Sequence, residues 1–488
     1  MAHKTLVGVT VLALTLVCPL HAAISVQPYL QNPTQQSMDI LWWTDTNEAN
    51  SRVEYGTDFQ SHVSVTPVYV PQVGRYLNQA TIQNLLPGTT YPYRVISGDS
   101  VGAPYTLTTA PSADQAAAQG VHIGVLGDGR TDDETVRQRH RELAHLARSR
   151  GATLLFELGD MVYDGTQTHW DYLMQAVLTT SSAENAERPT ASLVPYLMAV
   201  GNHEIYGGDG GYAKAGLTDT MPRYQAFVSN PDNGSADPRW KERYYSLRYG
   251  PVTFIVLDAN NTSDDELDNH RDIPDGYSPD WEPGSEQYRW MIRQLEQAQS
   301  DSVFTIVMAH PASYSRGVHG TNDNPGTDYQ TGYELRVLDS IFRQYGVDAV
   351  IQSHDHLVEH CVTGPQGWWN QPGAFHRDHP DHAAWLNDPK NLNYIVMGNS
   401  GEGSRDAHPH WTDWMDIQHD DPQAPPATYY SDYFYDWAGD DQKSSYLDVQ
   451  LAKADQAWKA TLKVVRRDNA TGEVAEFDEF ALTRAEPH

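Results

Sequence analysis

Apolar residues in this chain arrive in two rhythms, and the change falls near residue 110. Before it the runs are short and alternating: "MDILWWT" at 38–44, "SRVEYGT" at 51–57, and "QATIQNLLPGTTYPYRVISG" at 79–98, where a Pro-Gly pair separates two runs. Period-two alternation bounded by turn residues is a strand signature. Repeated through 24–110 it predicts an all-β domain, a small β-sandwich of about seven strands. "APSADQAAAQG" at 110–120 holds Pro, Ser, Ala and Gly without periodicity, so 111–120 is read as a linker.

From residue 121 the rhythm changes to buried runs separated by helical patterns. "VHIGVLGD" (121–128), "LLFELGD" (154–160), "SLVPYLMAVGNHE" (192–204), "VTFIVLDAN" (252–260), "SVFTIVMAH" (302–310) and "VDAVIQSHDH" (347–356) are continuous apolar strands. Between them, "DETVRQRHRELAHLARSRG" (133–151) carries Val136, Leu143 and Leu146 at helical spacing and stops at Gly151. "YRWMIRQLEQA" (288–298) and "YELRVLDSIFRQYG" (333–346) are amphipathic helices. Strands alternating with helices predict an α/β domain over 121–488. Its last stretch, 445–482, returns to alternating strands with Asn and Gly turns that close a second sheet.

The chain opens differently. "MAHKTLVGVTVLALTLVCPLHAA" has His3 and Lys4 before a short apolar run and small residues at Ala22 and Ala23, which predicts a cleaved signal peptide over 1–23 and a secreted or periplasmic destination. A membrane anchor needs about 20 apolar residues and other flanks, so none is expected. Of the two cysteines Cys18 leaves with the leader; Cys361 remains alone as a packed thiol, and no intrachain disulfide is expected. With 64 acidic and 33 basic residues the net charge is −31. Such a surface repels nucleic acid and anionic lipid, so neither is expected as a partner. An anionic substrate has to meet local positive charge, and metal ions are one source. The oligomeric state stays open.

Five of the six strands from 121 onward end in Asp, Asn or His: Asp128, Asp160, Asn202-His203-Glu204, His310 and His354-Asp355-His356. In open α/β sheets the groups just past the carboxyl ends of strands face the ligand crevice. Tyr163 follows Asp160 by three residues in "LLFELGDMVYDG". Carboxylates, imidazoles, an amide oxygen and a phenol without a thiolate suit hard or borderline cations such as Fe, Zn, Mn and Mg. Asp128, Asp160, Tyr163, Asn202, His310, His354 and His356 make seven donors, too many for one open ion and suited to two ions that share a carboxylate. Asp258 ends the sixth strand and is read as a loop-former.

"GD", "GDMVYDG", "GNHE", a strand ending in His, and "SHDH" resemble, in order, the blocks of the metallophosphoesterase (calcineurin-like) superfamily, and the Tyr resembles the purple acid phosphatases. The sequences "QPYLQNPTQQSMDILWWT" and "LLPGTTYPYRV" look like a fibronectin type III-like domain, which matches the two-domain arrangement of the larger purple acid phosphatases. The resemblance implies a four-layer α-β-β-α sandwich preceded by that all-β domain. It implies that Asp160 bridges two ions, that Asp128, Tyr163 and His356 complete one site, and that Asn202, His310 and His354 complete the other. By the same likeness a Tyr163 phenolate favours Fe(III), with Zn, Mn or Fe as the second ion. His203 would contact the phosphate, His319 would help protonate the leaving group, and Glu204 would orient the ligands. The implied activity is hydrolysis of small phosphate monoesters by metal-activated hydroxide. Alternatives are a phosphodiesterase or nucleotide phosphohydrolase on the same metals, and a non-catalytic metal-bearing binding protein. The sequence departs from the pattern at Ser353, where Gly is usual, and in "GRTDDE" (129–134) after Asp128. Two His-rich stretches, 375–382 and 408–410, lie in loops and are read either as rims of the cleft that bear on substrate choice or as simply solvated.

Overall fold

The protein is described by a computed structural model covering residues 24–178, 189–207, 216–260, 276–315, 317, 332–364, 382–403, 428–435 and 443–485. The leader, His319 and both His-rich stretches, apart from His382, lie outside these residues.

The first domain is a sandwich of two antiparallel sheets. One contains Ile24–Gln31, Met38–Thr44, Arg75–Ile82 and Val68–Val70; the other contains Ser61–Ser64, Arg52–Tyr55, Thr90–Ser97 and Ser100–Val101, with Tyr105–Thr108 beside Thr90–Ser97. Leu30, Ile40, Trp42, Val53, Tyr93 and Leu107 form its core. Alternation in Met38–Thr44 predicts one wet face, yet all seven residues are buried. The reason is tertiary: the outward residues Tyr29, Leu41 and Trp43 pack into a second cluster with Trp170 and Phe227 of the following domain. Trp43 and Phe227 rings lie 4.8 Å apart, and Tyr29 donates to the Phe227 carbonyl at 3.1 Å. Arg75 adds a two-pronged ion pair to Asp171, at 2.5 and 3.0 Å. The sandwich is therefore docked on its neighbour through an apolar face.

The segment read as a linker carries the helix Ala113–Gln119, and local sequence explains it. Ser112 and Gln115 form a reciprocal capping box, and Gly120 at φ 77° ends the turn.

The second domain has four layers. Among the described residues one sheet runs Tyr196–Met198, Leu154–Glu157, Val121–Leu126, Lys443–Ala454, Ala457–Asp468, Val474–Ala485. The other runs Tyr245–Tyr249, Val252–Leu257, Phe304–Ala309, Ala349–Gln352, Leu392–Met397, Val358–Gly364, Thr428–Tyr435. Ile123, Val125, Phe156 and Leu197 from the first meet Phe254, Ile306, Met308, Ile351 and Ile395 from the second in one core. Phe156 and Phe254 rings are 4.8 Å apart. Helices Glu134–Ser149 and Gln167–Leu178 pack outside the first sheet, and Glu286–Asp301 and Asp339–Gln344 outside the second. Strands buried on both faces read as continuous apolar runs, as these do.

Two further differences from the sequence reading matter. The helix read over 333–346 is a 3₁₀ turn, Tyr333–Leu338, followed by the short helix Asp339–Gln344. The strand Leu392–Met397 was not anticipated; it lies between Ala349–Gln352 and Val358–Gly364 and delivers Gly398, Asn399 and Ser400 to the same end as the site. Asp258 is a loop-former: its carboxylate takes both Arg243 Nε (2.7 Å) and Nη2 (2.6 Å) in the interior. Cys361 is a buried thiol, in no disulfide among the described residues and 3.9 Å from the Tyr314 carbonyl oxygen.

Candidate metal centre

The parallel strands Val121–Leu126, Leu154–Glu157 and Tyr196–Met198 end side by side, and their loops zip together. Asp128 N bonds the Gly159 carbonyl at 3.2 Å, Arg130 N the Asp160 carbonyl at 2.8 Å, and Thr131 N the Met161 carbonyl at 3.1 Å. Gly159, at φ 91°, is so close to Gly201 that a Cβ would lie 2.6 Å from the Gly201 nitrogen. Glu204 fastens the turn from below. Its carboxylate accepts from Asp160 N (2.9 Å), Met161 N (2.8 Å), Val162 N (3.4 Å) and Gly201 N (2.6 Å). This is the orienting role read from the sequence.

The resulting backbone is bent in a characteristic way. Asp128, Arg130, Asp160 and His354 all have positive φ (56°, 34°, 51° and 73°). Asp and His are enriched in this region, whereas Arg is not, and its conformation there costs on the order of 1 kcal/mol or more. The bends aim side chains inward.

Four donors meet around His310. Its Nδ1 donates to the Leu158 carbonyl at 2.8 Å, which turns Nε2 toward the cleft. Around Nε2 stand Asn202 Oδ1 at 3.0 Å, His354 Nδ1 at 3.1 Å and Asp160 Oδ1 at 3.2 Å. Asn202 Nδ2 bonds Tyr206 Oη at 2.7 Å, so the amide oxygen is the atom presented. All four residues are buried. Two imidazole nitrogens, an amide oxygen and a carboxylate oxygen facing one another have at most two protons, one on each ring nitrogen, for a larger number of lone pairs. A cation satisfies all four at once, so the residues fit a metal ion.

Asp128 and His356 form a second group. His356 Nε2 stands 3.3 Å from Asp128 Oδ1, a buried oxygen without a hydrogen-bond donor among the described residues. The other oxygen, Oδ2, accepts from His354 N at 2.7 Å and from the Ser353 hydroxyl. Ser353, a departure from the family pattern, thus holds a presumed ligand in place. The two oxygens of Asp160 have different neighbours. Its Oδ1 faces His310, and its Oδ2 lies 3.2 Å from Arg130 Nη2 and 3.7 Å from His203 Nε2.

Charge follows the geometry. Burial pushes Asp128 up to about 7 and the Asp160 charge adds to this, against the pull of His310 and Arg130. Burial also acts to raise Asp160, but His203, His310 and Arg130 outweigh it and hold that carboxyl well below its usual range. His310 resists its own burial and is raised to about 9 by Asp160. Burial lowers His203 to about 4. Burial and Asp160 raise Glu204 to about 7 despite its four N–H donors.

Six of the seven expected ligands are therefore brought together. Tyr163 is not. It is 42% exposed, its ring packs against His169 (5.6 Å) and His203 (5.9 Å), and its hydroxyl makes no hydrogen bond to the other six. The cause lies in its neighbours: Met161 and Val162 are buried in the core, and Asp164 is buried and paired with His169 at 2.6 Å, which leaves position 163 facing the mouth. His203 stands beside the centre as expected, with Nδ1 donating to the Tyr163 carbonyl at 2.5 Å. Its Nε2 faces Arg130 Nη2 at 2.5 Å, and a guanidinium can only donate, so this nitrogen accepts.

Two contributors escaped the sequence reading. Arg130 was seen only as part of a loose match after Asp128; a cation two residues past a strand-end Asp was the available signal. The other is a buried chain in which Glu157 and Tyr196 are 2.7 Å apart, Tyr196 and His140 2.8 Å, and His140 and the Ser400 carbonyl 3.0 Å. It braces the Asp128 loop, since a Cβ at Gly129 would meet His140 and Glu157. A lone His on an apolar helix face announces nothing of the kind.

Comparison with known proteins agrees with this architecture. The family description "Purple acid Phosphatase, N-terminal domain" matches residues 25–109, and "Calcineurin-like phosphoesterase" matches 123–358. An uncharacterised protein of Mycobacterium tuberculosis H37Rv is 28% identical over 358 residues, 68% of this chain and 61% of that protein. A probable inactive purple acid phosphatase 27 of Arabidopsis thaliana is 25% identical over 315 residues, 58% of this chain and 44% of that one. The chain thus spans about three-fifths or less of the length of these relatives. Among solved structures, a purple acid phosphatase from yellow lupin seeds superposes with a TM-score of 0.64 at 17% identity, covering 94% of this chain and 74% of that one. PhoD superposes with a TM-score of 0.59 at 13% identity, covering 95% and 90%. These structural likenesses speak for the fold. With both family descriptions in order along the chain and the strand-end donors gathered where that fold collects them, the chain belongs to the calcineurin-like phosphoesterases, as a purple acid phosphatase-like member.

Proposed function

We propose that this protein is an exported phosphomonoesterase that works with two metal ions. The observation that carries the reading is the convergence of Asn202 Oδ1, His354 Nδ1 and Asp160 Oδ1 on His310 Nε2 within 3.2 Å, with Asp128 and His356 adjacent. Asp160 would be shared, Asn202, His310 and His354 would hold one ion, and Asp128 and His356 would hold the other. Ions bound here supply Lewis acidity toward phosphoryl oxygens and a nucleophile at neutral pH.

The chain's own residues do the rest by position. Leu158, Tyr206, Ser353 and Glu204 fix the donors through hydrogen bonds, so little reorganisation is left to the reaction. None of the strand-end residues is an activated Ser or Cys, so the reading needs no covalent intermediate. The acidic surface disfavours an anionic ester at long range, and cationic charge in the cleft offsets this locally. Tyr163 is left out of the ligand set, and with it the argument for Fe(III). The leader at 1–23 supports export, and no described helix is long and apolar enough to cross a membrane.

Elemental analysis, combined with turnover of p-nitrophenyl phosphate and bis-p-nitrophenyl phosphate on one sample, tests the reading. Two metals per chain and preference for the monoester are expected. The word "inactive" in the names of some plant relatives favours a second reading, a metal-bearing binding protein. Full metal occupancy with no hydrolysis of either ester would establish that reading instead.

A further inference from the structure

Arg130 is a cation built into the centre at some cost. It is 8% exposed, its backbone sits at φ 34°, and its Nη2 lies against both Asp160 Oδ2 (3.2 Å) and His203 Nε2 (2.5 Å). Its Nε is buried and lacks a hydrogen-bond acceptor among the described residues. A buried charged donor without an acceptor is destabilising, as is a left-handed arginine, and an anion accepting from Nε would offset the first of these. Both Nη2 hydrogens are engaged, by Asp160 Oδ2 and His203 Nε2, which leaves Nε–H as a guanidinium donor for an oxygen of a phosphate or carboxylate.

The other groups nearby cannot play this part. His203 presents Nε2 as an acceptor while Nδ1 is occupied by the Tyr163 carbonyl, so it offers no free N–H to an incoming anion. Asp128, Asp160 and Glu204 are acidic, and the described residues hydrogen-bonded to Asp160 include no arginine or lysine besides Arg130. Asp160 itself has four demands on two oxygens: His310 (3.2 Å), His203 N (3.0 Å), Arg130 and the ions.

We propose that Arg130 is the residue that recognises the phosphoryl group, offering its unpartnered Nε–H and its positive charge to a phosphoryl oxygen, and that it selects phosphate monoesters over diesters. A monoester carries a dianionic phosphoryl group with three unsubstituted oxygens. A diester carries one charge and two such oxygens, and the ions compete with Arg130 for those. The inference rests on the hydrolase reading for its substrate class, but anion recognition at Arg130 can be tested without turnover.

The test uses the metal-loaded protein and its Arg130→Gln and Arg130→Lys variants. Three quantities are measured on each: metal content, the dissociation constant for inorganic phosphate by calorimetry, and kcat/KM for p-nitrophenyl phosphate and its bis-ester. Arg130→Gln is expected to keep the wild-type metal content and to bind phosphate about 10- to 100-fold more weakly, the loss typical of a charge-assisted hydrogen bond. Its kcat/KM should fall by a similar factor for the monoester and by less for the diester. Arg130→Lys keeps the charge without the Nε–H donor and should recover only part of the phosphate affinity. Unchanged phosphate binding in Arg130→Gln at full metal content would overturn the proposal, and so would loss of metal in both variants, which would make Arg130 a mere counter-charge. If the wild type hydrolyses neither ester while phosphate binding still drops in Arg130→Gln, recognition stands and the hydrolase reading fails.

Discussion

The two oxygens of the Asp160 carboxylate look into different surroundings. Oδ1 faces His310, which gathers Asn202 and His354, and His310 and Asn202 are each fixed by a second contact behind them, to the Leu158 carbonyl and to Tyr206. Oδ2 faces Arg130 and His203, two side chains that lean on one another near the mouth, beside an exposed Tyr163. One side is a finished set of lone pairs; the other keeps a charged guanidinium with an unused donor. The contrast teaches that a centre of this kind can hold its metals through rigid, buried residues and leave substrate recognition to groups with fewer constraints.

The largest effect should come from the residue common to both sides. Asp160→Ala is expected to lose both ions by elemental analysis and to lower hydrolysis by more than ~100-fold, beyond what residues that merely support ligands contribute. Two metals per chain in that variant would contradict the shared carboxylate. A smaller loss should follow from Glu204→Gln, which touches no substrate. Four N–H groups of the turn converge on this carboxylate, and an amide offers one oxygen in place of two. About 1–3 kcal/mol of stability should disappear, read as a shift of the denaturation midpoint; an unshifted midpoint would mean that the turn holds itself. The smallest effect is expected at Tyr163. Tyr163→Phe should change stability by no more than about 0.5 kcal/mol and leave metal content and any visible absorption as in the wild type. Loss of an absorption band in the iron-loaded variant would bring the phenol back among the ligands.

Much of the centre was legible along the chain because strand ends are legible. Runs such as "LLFELGD" and "VTFIVLD" are mostly apolar where the strand lies between two layers, with Glu157 and Thr253 as buried exceptions, and the closing Asp marks where each strand has ended. Asp128, Asp160, Asn202, His310, His354 and His356 were found this way. Tyr163 was expected by family likeness, but a loop residue's direction depends on which neighbours are buried, and burial of Met161, Val162 and Asp164 decided it. Trp43 shows the same limit in the first domain. Alternation marks it as pointing away from the sandwich core, and only the docked second domain buries it.

By itself, then, the sequence determined the kind and order of the donors and the elements that carry them, since periodicity and strand termination are local properties of the chain. The tertiary structure alone decided which donors meet, which way each carboxylate oxygen turns, and that Arg130 enters the centre. Those outcomes depend on contacts between residues 30 to more than 200 positions apart, such as Arg130 with Asp160 and Asp128 with His354. Nothing in the local pattern encodes such distances; they follow from how two sheets pack and from the backbone turns that packing permits.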